Sequence, residues 1–200
     1  MTRTEGDAAA PESTVSLDHF TGLYEAKDDP WDVATKWHNQ RKYAVTLASL
    51  PQERYRRCYE PGASIGLFTR ELAARCDEVL ATDSVEGAVQ QALANTADLP
   101  NVRVVCEQVP AAMPDGVFDL VVIGDLLYYL SADDLETFLT GLLERVETGG
   151  DIVALHFRDR GNTSYDGHNV HAAVAARPGL ERIVRHEDEW FLLDVFRRVA

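Results

Sequence analysis

From residue 55 onward, short apolar segments of the chain alternate with segments of helical periodicity. The apolar segment EVLATD ends at Asp83, and the segment FDLVVIGD ends at Asp125 after a nearly continuous run of Val and Ile. Such a run is typical of a strand that is covered on both faces. Strict alternation of strands and helices predicts a parallel, doubly wound sheet, so we expect an α/β fold that closes with a pair of strands at the C-terminal end.

The region before this alternation has helical periodicity over residues 17–51, with a break at its Asp-Pro pair. Residues 1–16 lack an apolar core, so we expect a disordered tail there rather than a secretory signal. The sequence therefore predicts one domain over residues 17–200, in which a helical lid (17–51) covers an α/β core (55–200).

Composition and charge argue against several classes of function. The chain has 200 residues and a net charge of −14, which opposes binding to nucleic acid because phosphate contacts need clustered Lys and Arg. No apolar run approaches the roughly 20 residues of a membrane-spanning helix, so no membrane association is expected. The three cysteines have no metal-ligand spacing. We therefore expect reduced thiols, no bound metal and a cytoplasmic location.

Polar side chains stand where the predicted strands end. Ligands of a doubly wound sheet bind at the carboxyl ends of its strands. In this chain those ends carry Glu60, Asp83, Gln108, Asp125 and His156. Because these ends meet at one edge of the sheet, the sequence predicts a single functional site there.

The first of these strand ends leads into the glycine turn EPGASIG. A strand, a glycine turn and a helix, with an acid closing the next strand, is typical of sites for nucleoside-containing cofactors, and the acid (here Asp83) accepts the ribose hydroxyls. The spacing from Gly62 to Gly66 does not match the G-x-G-x-x-G of dinucleotide sites. Glu60 would repel a pyrophosphate, whereas it suits a ligand that carries an ammonium group and a sulfonium.

Several motifs, in this order, resemble class I S-adenosylmethionine-dependent methyltransferases: EPGASIG, ATD, FDLVVIGDLLYYL and GGDIVALHF. With YEAKDDPWD and QRKYAVTLASLP upstream, the chain looks most like the nodulation protein S (NodS) branch of that class. The resemblance implies a Rossmann-like, seven-stranded, mostly parallel sheet with an antiparallel last strand. It also implies S-adenosylmethionine as the cofactor, and the best-known members of the branch N-methylate an amino sugar.

The resemblance further implies roles for individual residues. Glu60 would lie near the amino group of the cofactor, Asp83 would hold its ribose, and Arg41 would pair with its methionine carboxylate. The whole set implied for cofactor binding is Trp31, Arg41, Glu60, Gly62, Ser64, Gly66, Asp83, Ser84, Gln108, Val109, Gly124, Asp125 and Tyr129. Ordinary turn, packing and surface roles remain open as alternatives for these residues.

On the acceptor side, His156 is the candidate base, and Asp125 would bind an ammonium acceptor or relay its proton. Tyr128, Tyr165 and His168 are expected to shape the acceptor pocket. The alternatives are a structural hydrogen bond for His156, core packing for Tyr128, and an exposed polar loop for the other two.

The leading prediction is methyl transfer from S-adenosylmethionine to a small-molecule acceptor. N-methylation of an amino sugar or related metabolite comes first, and O-methylation of a sugar or natural-product hydroxyl comes second. A non-catalytic partner protein that binds the cofactor is the alternative from another class, and a nicotinamide oxidoreductase is a further one that the glycine spacing disfavours.

Overall fold

The structure is a computed structural model that describes residues 11–158 and 166–200. Its strands are β1 (Tyr55–Pro61), β2 (Cys76–Asp83), β3 (Val102–Cys106), β4 (Phe118–Gly124), β5 (Val146–Phe157), β6 (Leu180–Glu187) and β7 (Phe191–Arg198). They form one seven-stranded sheet in the order β3-β2-β1-β4-β5-β7-β6. Strands β1 to β5 are parallel, and β7 is antiparallel to both of its neighbours. The fold class that the sequence predicts is confirmed.

Helices cover both faces of this sheet. They are α1 (Leu17–Ala26), α2 (Trp37–Ser49), α3 (Leu67–Ala73), α4 (Glu86–Asn95), α5 (Ala132–Arg145) and α6 (Gly167–Ala175). Apolar side chains of α5 and α6 form one core cluster with the sheet, and those of α2 and α3 contribute to a second. β4 lies at the centre, and its side chains from Phe118 to Ile123 are buried. Its Val/Ile run is buried on both faces, as expected for a central parallel strand.

One element boundary differs from the sequence pattern. The periodicity of α5 extends to the glycine pair at 149–150, whereas the helix ends at Arg145 and β5 begins at Val146. Val146 is buried and pairs with Phe118 of β4. A β-branched side chain that packs on a neighbouring strand favours the extended conformation, so tertiary pairing overrides the local helical pattern.

The segment before α1 is ordered at its end, which corrects the expected tail. The backbone N–H of Val15 donates to the carbonyl of Tyr129 at 2.9 Å, and Ser16 caps α1 by accepting from the N–H of His19. Thr14 donates to Asp134 and accepts from the N–H of Ser131. Residues 14–16 are therefore docked on the core, while residues 1–10 lie outside the described part of the chain.

The turn between α1 and α2 is built by the DPWD sequence. The carboxylate of Asp29 accepts from the N–H groups of Val33 and Ala34, at 2.9 Å each. Further along, the ring of Tyr43 in α2 stacks on that of Phe68 in α3 at 4.3 Å. These contacts fix α1 and α2 above the carboxyl ends of the strands. No helix in the described ranges is both long and apolar enough to cross a membrane.

Candidate active site

A cavity of about 320 Å³ lies between the carboxyl ends of β1, β2 and β4 and the two N-terminal helices. Most of the residues predicted for the site line it: Trp31, Glu60, Gly62, Ser64, Asp83, Ser84, Gln108, Val109, Gly124, Asp125, Tyr128 and Tyr129. Four of the five polar strand ends therefore come together, and His156 is the exception. Among the described residues, no group of three His, Cys, Asp or Glu side chains is arranged to hold a metal ion.

The turn after β1 is held open by backbone geometry. Gly62 and Ser64 both have a left-handed backbone, with φ of 72° and 52°. The left-handed conformation is unfavourable for a side chain such as that of Ser64, and two contacts hold it there. Its N–H donates to Asp83 at 2.8 Å, and its hydroxyl lies 2.6 Å from the hydroxyl of Tyr24 in α1. The turn is thus tied both to β2 and to the lid.

Asp83 joins the turns that follow β1 and β2. Besides the N–H of Ser64, its carboxylate accepts from the N–H of Val85 at 3.0 Å. Burial raises the pKa of Asp83, and these backbone hydrogen bonds oppose that rise. A carboxylate has about four acceptor positions, so the side chain keeps capacity for further donors from the pocket.

Glu60 is a buried acid at the end of β1. The hydroxyl of Thr69 donates to it at 2.6 Å. Burial raises the pKa of Glu60 to about 8, the Thr69 hydrogen bond lowers it, and the charge of Asp83 raises it. A cationic group in the pocket would favour the ionised carboxylate, because an opposite charge at short range stabilises the charged form.

Lys42 is the basic residue of the pocket, and it is not among the residues predicted from the sequence. Its side chain is 2% exposed and forms an ion pair with Asp125. Its ammonium lies 4.4 Å from the ring centroid of Phe157. The buried residues of α2 are Asn39, Lys42 and Thr46. Spacings of three and four residues place them on one helical face. This polar stripe is the sequence pattern that could have identified Lys42 as a pocket residue.

Asp125 and Asn39 lie with Lys42 in the pocket wall. Asp125 has a left-handed backbone, with φ of 50°, and its Oδ1 accepts from the hydroxyl of Tyr128 and the N–H of Phe157, both at 2.9 Å. Asn39 donates to the carbonyl of Trp31 at 3.1 Å. Its Oδ1 is buried and has no hydrogen-bond partner among the described residues, which leaves an acceptor without a partner in the pocket wall.

His156 is not placed to act as a base. It is 0% exposed and is absent from the pocket wall. Leu127 donates its N–H to Nε2 of His156 at 3.2 Å, and Nδ1 lies 3.1 Å from Nε2 of His171. Neighbouring residues of a strand point to opposite faces, so Phe157 lines the pocket while His156 faces α6. In this structure the predicted base therefore does not reach the cavity, and His156 makes structural hydrogen bonds instead.

Three other residues predicted for the site do not line the cavity either. Arg41 forms an ion pair with Asp188 and does not line the pocket. Gly66 packs against α4, where an added Cβ would lie 2.9 Å from Ala92, so its role is close packing. His168 is exposed and lies 3.2 Å from a carboxylate oxygen of Glu187, outside the pocket wall. Tyr165 falls outside the described residues.

Comparison with known proteins identifies the family of the chain. A family model for a methyltransferase domain matches residues 59–150. Nodulation protein S of Rhizobium tropici is 28% identical over 164 residues, a match that covers 81% of this chain and 68% of that protein.

Solved structures of methyltransferases are also similar to this chain. A Pseudomonas syringae protein assigned as a methyltransferase is 38% identical, with a TM-score of 0.74, and the match covers 82% of this chain and 100% of that one. The N-methyltransferase NodS from Bradyrhizobium japonicum, in complex with S-adenosylhomocysteine, has a TM-score of 0.82 at 22% identity, over 91% of this chain and 98% of that one. These matches favour a methyltransferase over the oxidoreductase and the non-catalytic partner, and S-adenosylmethionine is the cofactor. The chain belongs to the class I S-adenosylmethionine-dependent methyltransferases, in the branch that contains nodulation protein S.

Proposed function

We propose that this methyltransferase acts on the amino group of a small-molecule acceptor, such as an amino sugar, and that the pocket described above holds both the cofactor and the acceptor. The proposal is supported by the composition of the pocket wall and by the likeness to N-methyltransferases. The wall offers groups that suit each part of the cofactor and, beside its methyl group, groups that suit the acceptor.

The charged residues of the pocket fit the methionine part of the cofactor. Glu60 supplies a buried carboxylate for the ammonium group, and Oδ1 of Asn39, which has no partner in the described part of the chain, is a further acceptor for it. Lys42 supplies the cation for the methionine carboxylate. Its partner Asp125 holds the ammonium of Lys42 in place before the ligand arrives, and such preorganisation lowers the entropy lost on binding.

The nucleoside part fits the ends of β2 and β3. Asp83 accepts from the ribose hydroxyls with the capacity that its two backbone hydrogen bonds leave. Gln108 and Val109 line the cavity, where Gln108 would accept from the adenine amino group and Val109 would pack on the ring. The rings of Phe20 and Tyr129 lie edge to face at 4.9 Å, so the lid adds aromatic surface that excludes water.

The cofactor supplies a methyl group on a sulfonium, which is already an activated donor. A neutral acceptor nitrogen would form the new N–C bond with its lone pair as the S–C bond broke, which would leave S-adenosylhomocysteine and a methylated ammonium whose proton goes to solvent. The protein's part is to align that nitrogen and to exclude water. Tyr128 and Tyr129 line the cavity, and their rings would offer aromatic surface to a bound sulfonium.

One observation favours nitrogen over oxygen as the acceptor atom: no histidine is present among the described residues of the pocket wall. Asp125 already accepts from Tyr128, Phe157 and Lys42, so it is poorly placed to take a proton. An alcohol needs a base to become a nucleophile, whereas an amine attacks as soon as it is neutral. The acid beside Tyr128 is thus already engaged by three donors among the described residues, an arrangement that suits an acceptor which attacks without a protein base.

A labelled-methyl transfer assay on matched acceptors tests the proposal. Glucosamine and its short oligomers provide free amines, their N-acetylated forms block the amine, and glucose oligomers carry a hydroxyl instead. We expect label on the amines only, at a rate that rises with pH as the ammonium form of the acceptor loses its proton. Methylation of the N-acetylated or hydroxyl acceptors in place of the amines would refute it.

A further inference from the structure

A buried chain of hydrogen bonds runs from the pocket wall to β7. His156 of β5 accepts from the N–H of Leu127 at 3.2 Å. Its Nδ1 lies 3.1 Å from Nε2 of His171 in α6, and Nδ1 of His171 lies 2.9 Å from Asp194 in β7. All three side chains are buried. None of them lines the cavity, so the methyl-transfer site as described above makes no use of them.

The backbone end of this chain fixes where the protons lie. A peptide N–H only donates, so Nε2 of His156, which faces Leu127, carries no proton. Nδ1 of His156 then carries the proton and donates it to Nε2 of His171. His171 in turn carries its proton on Nδ1 and donates to the carboxylate of Asp194. With both rings neutral, one arrangement of protons satisfies every bond of the chain.

This chain supports the turn that carries two aromatic residues of the cavity wall. Leu127 is the first residue of a 3₁₀ turn that continues through Tyr128 and Tyr129, and both tyrosines line the cavity. The ring of Tyr128 lies edge to face on the ring of His156 at 5.1 Å. Loss of the imidazole would leave the buried N–H of Leu127 without its acceptor, which is unfavourable. The turn would then move to find another partner.

We propose that His156 is a positioning residue for methyl transfer: through His171 and Asp194 it is held in one tautomer, and in that tautomer it fixes the turn that carries Tyr128 and Tyr129. The added consequence is a pH sensitivity. A further proton on His156 would occupy Nε2. Nε2 could then no longer accept the hydrogen bond from the N–H of Leu127, because two donors would face each other. The turn would then be released in acid. The proposal rests on the methyl-transfer activity of the family and is independent of which acceptor atom is used.

The charges around His156 act in the same direction. Burial disfavours an imidazolium there most, and a protonated His171 of α6 and the ammonium of Lys42 in α2 would disfavour it further, so the pKa of His156 lies well below its ordinary value. From β7, Asp194 is directed at His171 and is also 3.6 Å from Arg182 of β6. On the 3₁₀ turn the facing group is the neutral Tyr128 ring. A neutral His156 is therefore the form expected near neutral pH.

Nuclear magnetic resonance of the unmodified chain is the direct test. With ¹⁵N-labelled histidine, both His156 and His171 should appear as neutral Nδ1–H tautomers at neutral pH, and the Leu127 amide should be protected from exchange. An Nε2–H tautomer or an imidazolium at position 156 would overturn the proposal without any mutation.

Two substitutions test the link to catalysis. His156→Leu removes the acceptor, whereas His156→Gln offers a side-chain carbonyl for the N–H of Leu127. His168→Gln, in the same helix as His171 but exposed, is the matched control. We expect kcat in the leucine variant to fall about tenfold or more, as the loss of a buried acceptor implies. The glutamine variant should retain most of the activity, and the control should match the unmodified protein.

The pattern of effects separates positioning from a general loss of structure. Affinity for S-adenosylhomocysteine should change little in either His156 variant. Hydrogen exchange of the Leu127 amide should accelerate in the leucine variant alone. The acid limb of the pH profile of kcat should shift in both variants. The rates are measured on whichever acceptor is turned over, so a failure of the amine proposal would not affect the result. Unchanged kcat and unchanged Leu127 exchange in a folded leucine variant would overturn the proposal.

Discussion

Lys42 and Arg41 show how one step along a helix separates a pocket residue from a surface residue. Successive residues of an α-helix are rotated by about 100°. Lys42 therefore points to Asp125 in the pocket, and Arg41 points to Asp188, with its guanidinium 5.4 Å from the Phe191 ring. The sequence predicts a basic residue from this helix for the methionine carboxylate, but at the neighbouring position.

We expect Lys42→Met to weaken binding of S-adenosylhomocysteine by about tenfold or more, because a charge-assisted hydrogen bond contributes roughly 1.5–3 kcal/mol. Isothermal titration calorimetry measures the affinity, and a melting curve confirms that the variant is folded. Arg41→Met removes an equal charge from the same helix and should leave the affinity nearly unchanged. A larger loss in the Arg41 variant than in the Lys42 variant would return the role to Arg41.

At the scale of elements, the turn between β1 and α3 depends on how closely α4 approaches it. Gly66 has φ of 76°, and an added Cβ would lie 2.9 Å from both Cα and Cβ of Ala92. Gly62 has a comparable φ, yet an added Cβ there would make ordinary contacts with the side chain of Leu126. The two glycines of one motif therefore differ in purpose: Gly66 permits helix packing, and Gly62 borders the pocket.

Gly66→Ala is expected to lower the free energy of unfolding by about 2–4 kcal/mol, since it combines a left-handed backbone with a clash against a helix backbone. Gly22→Ala in α1 is the control, because an added Cβ there has no atom within 4 Å and alanine favours a helix. Urea denaturation measures both. Equal stability of the two variants would show that α4 can shift away at little cost.

For the molecule as a whole, burial moves the pKa values of acids and histidine in opposite directions. The pKa of Glu60 rises from 4.5 to about 8, so its folded form keeps a proton that the unfolded chain loses. The pKa of His156 falls below 6.5 in the folded protein. Below pH 6.5 the unfolded chain therefore binds a proton at this histidine that the folded chain does not bind. The two effects oppose each other between pH 4.5 and 6.5, and above that range Glu60 acts without His156.

The free energy of unfolding of the cofactor-free protein should therefore decrease as the pH rises from 6.5 to about 8. The slope that Glu60 contributes approaches about 1.4 kcal/mol per pH unit. Urea denaturation at several pH values measures it, and Glu60→Gln, which still accepts from Thr69, should flatten it. A profile that is the same in the glutamine variant would show that Glu60 is ionised in the folded protein.

The sequence by itself determined the sheet and the location of the site. Apolar runs separated by helices specify parallel strands, and the carboxyl ends of such strands converge whatever the details of packing. Glu60, Asp83 and Asp125 could therefore be placed at one pocket from their positions in the sequence. The predicted order of strands and helices needed no more than local periodicity and the resemblance.

Only the tertiary structure decided which way the side chains face and which of them are buried. His156 stands at the correct strand end but on the face turned to α6, and Lys42 lies on the buried face of α2. Thr14 is held by contacts more than a hundred residues away in the chain. The physical reason is that periodicity fixes a residue's position along an element, whereas the neighbour that its side chain meets depends on the packing of distant segments.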